Sequence, residues 1–275
     1  MDHNKFFWLR WLLCGTLIGA GAILPGVSGG VLAVIFDIYR PFMEVLTAPR
    51  QALPKYWRGL VPLSIGCCAG FLGFAKGIAT AFSSAETVTT WLFIGLIAGT
   101  LPSLLREAGK EGRTLGGWAS MALCGAGVST LLYYAGHAAG AEVTPSFGWY
   151  NFCGVLWGMG IVIPGLTTSS ILMSLGLYQP ILEGLARLDL PVLSACLPGL
   201  LITMLLLARG VNWLFRRHYA LAFHGILGIV AASTVMIVPT GYQGPGEMLL
   251  CLLAAGFGAF LALLLARLET KSHLS

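Results

Sequence analysis

The sequence predicts an all-α polytopic membrane protein, an inverted-topology repeat in which each half is a re-entrant helical hairpin plus three transmembrane helices. Three observations carry this. The 275 residues are 57% hydrophobic and only 10% charged, with a mean hydropathy of +0.83, too little charge for a soluble domain of this size. A Gly/Pro-interrupted stretch, Gly15 to Leu46, recurs without a gap as Gly154 to Leu185 at an offset of 139. Fourteen of the 16 Lys and Arg residues fall on one side of the bilayer in this topology, a positive-inside asymmetry that places both termini in the cytoplasm. Residues 1–275 form a single membrane domain, with repeat 1 at about 8–136 and repeat 2 at about 150–267.

The first hairpin follows a short basic lead carrying Lys5 and Arg10. Its arms, Trp8 to Leu24 and Gly30 to Leu46, are 17 residues each. At about 1.5 Å per residue each reaches roughly 25 Å, short of the roughly 30 Å hydrocarbon core. Between them, Pro25-Gly26-Val27-Ser28-Gly29-Gly30 stops the helix and strands backbone groups, which lipid tolerates only where they are buried in protein or line a wet cavity. A polar loop, 47–58, leads to spans near 59–76, 90–105 and 116–136. Gly66, Gly70, Gly73 and Gly77 form a smooth stripe for close helix approach. The second half repeats the order: hairpin 150–186, then spans near 193–214, 221–239 and 247–266. Ala75-Lys76-Gly77-Ile78 matches Ala208-Arg209-Gly210-Val211, and Gly95 to Thr100 matches Gly228 to Ser233, both at offset 133. Gly125 and Gly127 are aligned with Gly256 and Gly258. Three spans per half is an odd number, so the halves sit upside down relative to each other.

Ten residues are identical between the hairpins, including both Pro-Gly pairs. Paired interrupted segments in the two halves of a membrane protein point to a transport site at mid-membrane. Pro25 and Pro164 are the hinges. Where each helix restarts, free amides and hydroxyls make an anion site: Gly26, Ser28, Gly29 and Gly30 in one tip, and Gly165, Thr167, Thr168, Ser169 and Ser170 in the other. The alternative is that these hydroxyls only cap their own helices. Lys76 and Arg209, the one cationic pair related by the repeat, are candidates for a phosphate, or else snorkel at span ends. Glu44 and Glu183, also repeat-related, are open between proton coupling and a solvated carboxylate at each hairpin mouth. Tyr39, Pro41, Tyr178 and Pro180 read as interfacial turns, and Asp37 and His224 are weaker candidates.

Several classes are disfavoured. The net charge of +5 is spread over short loops, so no nucleic-acid partner is expected. The seven cysteines lie in or beside apolar segments without C-x-x-C and read as free thiols. No H-E-x-x-H or metal-spaced histidine occurs, so no metal or cofactor is expected.

Gly-x-x-x-Gly-x-Gly-x-x-x-Pro-Gly-Val-Ser-Gly-Gly from Gly15, with Ile38-Tyr39 after it, resembles the bacterial polyprenyl-phosphate transporter family. Ile163-Pro164-Gly165 with Gly176-Leu177-Tyr178, and Phe93 to Pro102, are similar to that family's second and middle motifs. The resemblance implies a non-enzymatic lipid flippase of the bacterial inner membrane. It would return undecaprenyl phosphate from the outer to the cytoplasmic leaflet for reuse in cell-wall biogenesis. The chain departs from the family where an Asp usually sits two residues before the first Pro-Gly; here it is Ile23. An intramembrane polyprenyl-pyrophosphate phosphatase and a transporter of small soluble anions are the alternatives. Neither Pro-Gly motif contains Arg, which argues against hydrolysis. The sequence leaves a homo-oligomer open.

Overall fold

In the computed structural model the described residues are 2–24, 32–33, 36, 38–47, 49–138, 144–163 and 165–272. They are all-α, with no strand among them. The helices are α1 (Asp2–Ile23), α2 (Tyr39–Thr47), α3 (Pro49–Ala108), α4 (Leu115–Ala138), α5 (Phe147–Val162), α6 (Ser169–Ser174), α7 (Tyr178–Ala186), α8 (Leu190–Arg217), α9 (Tyr219–Met236) and α10 (Pro245–Ser272). Five of them (α3, α4, α8, α9 and α10) are long and apolar enough to cross a membrane.

Helix α3 is two spans, broken where φ and ψ at Ala85 leave the helical region (−156°, 70°). Phe82 and Phe93 would lie about 16 Å apart along a straight helix, yet their ring centroids are 5.5 Å apart, so the chain folds back. Hydroxyls satisfy the carbonyls freed at the turn: Ser83 and Ser84 donate to the Thr80 carbonyl, and Thr89 donates to those of Ala81 and Ala85. His218, 133 residues later, separates α8 from α9 with similar dihedrals (−139°, 45°).

Glycines decide which helices meet. A methyl group on Gly15 would sit 2.2 Å from the Leu63 carbonyl oxygen, on Gly19 2.1 Å from that of Cys67, and on Gly66 2.1 Å from that of Leu12. Contacts that climb together in both numbers mean that α1 and the first arm of α3 run parallel, backbone against backbone. The second half reproduces this pairing. Gly154 meets Cys196, Gly158 meets Leu200 and Gly199 meets Asn151, each through a main-chain carbonyl. Each is the earlier contact shifted by 139 on the hairpin helix and 133 on the span.

The remaining spans cross over between halves. The second arm of α3 runs parallel to α10, with Gly95 on Ala255 and Gly99 on Ala259, and α4 runs parallel to α9, with Gly125 on Gly228. In the same helix pair as Gly95, Gly258 packs on the Leu92 carbonyl. Gly127 and Gly256 face open space. The glycine stripe of the first span is likewise split: Gly66 and Gly70 pack on α1, whereas Gly73 and Gly77 touch nothing within 4 Å.

Candidate functional site

The second hairpin shows how the chain turns. Helix α5 ends at Val162, where the Ile163 backbone becomes extended while its N–H still donates to the Met159 carbonyl, 2.8 Å. Gly165 then takes a left-handed φ of +81°, a conformation costing an L-residue roughly 1–2 kcal/mol. A methyl there would also press within 2.6 Å of Leu104 Cδ2. The returning arm is not one helix: α6 has six residues, and Gly176 (φ +69°) separates it from α7. A helix this short carries little macrodipole, so the dipole half of the anion-site expectation has weak support at this tip.

Its hydroxyls are the feature that stands out. Thr167, Thr168, Ser169 and Ser170 are all buried, in an interior where no Lys, Arg, Asp or Glu of the described residues is buried. Ser170 Oγ lies 2.8 Å from Ser233 Oγ and donates to the Thr167 carbonyl, 3.2 Å. The tip also touches the first hairpin. Ser169 Oγ (3.4 Å) and the Tyr178 hydroxyl (2.8 Å) both donate to the carbonyl of Ile23, the last residue of α1 and two residues before Pro25. Thr167 Oγ1 is enclosed and has no hydrogen-bond partner among the described residues. Such a group costs on the order of 1–3 kcal/mol, which asks for a function.

The structure therefore brings Ser169 to the end of α1 and Ser170 to Ser233 of α9. Pro25, Gly26, Ser28, Gly29, Gly30 and Asp37 lie outside the described residues, as does Pro164. Lys76 and Arg209 are exposed, and no described hydrogen bond or ion pair joins either side chain to the tip. Glu44 pairs with Arg40 and Lys55, both at 3.4 Å, and accepts the Tyr56 hydroxyl at 2.9 Å. That hydroxyl, with the two cations, holds the Glu44 carboxyl below its ordinary pKa. Its ion pairs thus persist above the ordinary carboxylate range and loosen only as pH falls through the lowered value. Glu183 accepts from Gln179 at 3.1 Å and pairs with Arg187 at 3.8 Å. Both glutamates are partly exposed. His224 is buried at the contact of α9 with α4, its Nδ1 2.7 Å from the Ala220 carbonyl.

Two participants went unrecognised in the sequence. Tyr178, expected at an interfacial turn, is 2% exposed and stacks edge-on with Phe82 and Phe93, directly beneath the fold in α3. Its identity with Tyr39 in the repeat was the available signal. Ser233, which ends the repeated Gly228 motif, is the partner of Ser170. Tyr178→Phe removes the shorter of two donors to the Ile23 carbonyl and should lower stability by about 1 kcal/mol. Thermal unfolding of purified protein measures this; an unchanged midpoint would mean that the bond is not formed.

A family model described as undecaprenyl phosphate translocase-like matches residues 19–244. Over 256 residues the chain is 26% identical to a polyprenyl-phosphate transporter of Vibrio cholerae, covering 87% of this chain and 80% of the relative. Over 250 residues it is 23% identical to a polyprenyl-phosphate transporter of Staphylococcus aureus, covering 86% and 88%. No solved structure matches the chain.

Proposed function

The chain belongs to the undecaprenyl phosphate translocase-like family, and we propose that it moves undecaprenyl phosphate from the outer to the cytoplasmic leaflet of the bacterial inner membrane. The returned carrier then re-enters cell-envelope polymer synthesis. An anionic headgroup cannot cross hydrocarbon unaided, because a charge at the bilayer centre is costly. The protein must offer polar groups at mid-membrane while the apolar chain stays in lipid. The single observation that carries the reading is the hydroxyl-rich tip Thr167–Ser170 docked through Ser169 on the end of α1, with Thr167 Oγ1 left without a partner among the described residues.

The phosphate sits between the two Pro-Gly tips, with Gly26, Ser28, Gly29 and Gly30 opposite Gly165 and Thr167–Ser170, and Pro25 and Pro164 as hinges. Helix directions support the inverted repeat. The second arm of α3 folds back on the first, and it runs antiparallel to α9, as Glu107–Tyr219 and Leu104–Phe223 are neighbours. Helix α9 in turn folds back from α8, bringing the Phe215 and Phe223 rings within 5.2 Å. Since α1 follows the first arm of α3 and α5 follows α8, α1 and α5 point in opposite directions. The two equivalent turns carry opposite dress, Ser83-Ser84 in one and Arg216-Arg217 in the other, as opposite membrane faces would require. Re-entrance is supported by length: α5 has 16 residues, about 24 Å. On this topology both termini are cytoplasmic. Lys76 and Arg209 would reach the phosphate only after their side chains reorient.

The test is leaflet-resolved uptake of labelled undecaprenyl phosphate into vesicles holding the purified protein. Protein-dependent transfer is expected, and its absence removes the proposal. Glu44→Gln and Glu183→Gln should change uptake less than twofold, because both carboxylates already serve exposed ion pairs. A tenfold loss in either variant would instead restore a proton-coupling role.

A further inference from the structure

We infer that an apolar groove between α4 and α5 seats the polyprenyl chain next to the headgroup tip; this rests on the function proposed above. The groove has a volume of about 710 Å³, within the range of a built ligand site. It extends from Ser146 and Gly148 at the start of α5, past Phe152 and Met159, to Leu166 at the tip and Ile171 in α6. From 148 to 162 that is about 21 Å of helix. Apart from Ser146 at its outer end, every lining residue is apolar, aromatic or glycine.

Its occupant follows from what it adjoins. Leu166 lines the groove and is the residue before Thr167, whose enclosed hydroxyl has no partner among the described residues. A long apolar path that reaches the residue before such a hydroxyl fits an amphiphile with a single chain and a small anionic head. A soluble anion would have no use for the path. Access is sideways: Leu131 (65% exposed) and Phe152 (37%) form an open rim, so a chain enters from the bilayer. Met159 supplies an adaptable wall for a branched polyprenyl chain. Because α5 starts on the extracytoplasmic side in the proposed topology, the groove opens toward the leaflet where the carrier is collected.

Two measurements on the full chain, in phosphatidylethanolamine/phosphatidylglycerol vesicles, decide it. Leu131→Trp should slow undecaprenyl phosphate uptake at least fivefold, while Leu253→Trp on the exposed face of α10 stays within twofold of wild type. Undecaprenyl phosphate bearing a diazirine on its second isoprene unit should label 128–132 and 149–159 at least fivefold more than a diazirine-bearing phosphatidylglycerol. Equal labelling by the two lipids, or wild-type uptake by Leu131→Trp, overturns the groove assignment. Wild-type protein that takes up no undecaprenyl phosphate overturns the parent proposal instead. The labelling experiment requires no transport, so it still decides the groove.

Discussion

Thr167→Val will cut undecaprenyl phosphate uptake roughly 10- to 100-fold while leaving the protein as stable as wild type or more so. The two effects have one cause. Thr167 Oγ1 is enclosed without a partner among the described residues, so in the resting protein it contributes only its desolvation cost. Valine keeps the branched shape and removes that cost, so the thermal midpoint should hold or rise. On the proposed binding mode the same hydroxyl would donate to a phosphate oxygen, and a hydrogen bond to a charged group is worth about 1.5–3 kcal/mol, or roughly 10- to 100-fold in affinity. A variant that transports normally would show that Thr167 never meets the substrate. One that melts early would show that its hydroxyl has a structural partner. Either result ends its role as a phosphate ligand.

Gly66→Val and Gly199→Val will each destabilise the fold severely, and to a similar degree. A methyl at Gly66 would sit 2.1 Å from the Leu12 carbonyl oxygen, and at Gly199 2.2 Å from that of Asn151. The obstacle is main chain, so no side-chain rotation relieves it and the parallel helices must separate. Within a bilayer, close packing is the main force joining helices, so separation removes the contact that holds the hairpin to its span. Overpacking of this kind costs about 3 kcal/mol, a fall in midpoint on the order of 10 °C for a chain of this size. Gly73→Ala and Gly210→Ala, with open space around both positions, should shift the midpoint by less than 2 °C, roughly the effect of 0.5 kcal/mol. Fluorescence-detected unfolding in detergent distinguishes the pairs. A large loss at only one of Gly66 and Gly199 would mean that the two halves are not mechanically equivalent.

Much of the architecture was legible in the chain because it is written locally. Apolar runs of span length, proline and glycine interruptions, and the recurrence of both at fixed offsets require no knowledge of neighbours. The turn at Ala85 falls in the expected gap between two spans, and the hydroxyls of Thr167–Ser170 sit at the expected break. Glycines were harder to sort. Gly66 and Gly73 look alike in sequence, yet one meets a backbone carbonyl and the other meets nothing, since this depends on which helix lies opposite. The same limit hid Tyr178. An aromatic residue after a glycine turn suits a membrane interface, and only the fold shows its hydroxyl reaching a carbonyl 155 residues earlier in the chain.

By itself the sequence determined that this is a helical membrane protein with a duplicated, Pro-Gly-interrupted segment, because hydropathy and backbone punctuation are properties of short segments. Tertiary structure alone decided that the second tip rests on the end of α1, that the enclosed Thr167 hydroxyl has no partner among the described residues, and that Glu44 and Glu183 are held in surface ion clusters. Those outcomes depend on pairing between distant segments. In hydrocarbon such pairing is chosen by backbone-to-backbone fit and by the need to satisfy every polar group, neither of which a linear pattern records.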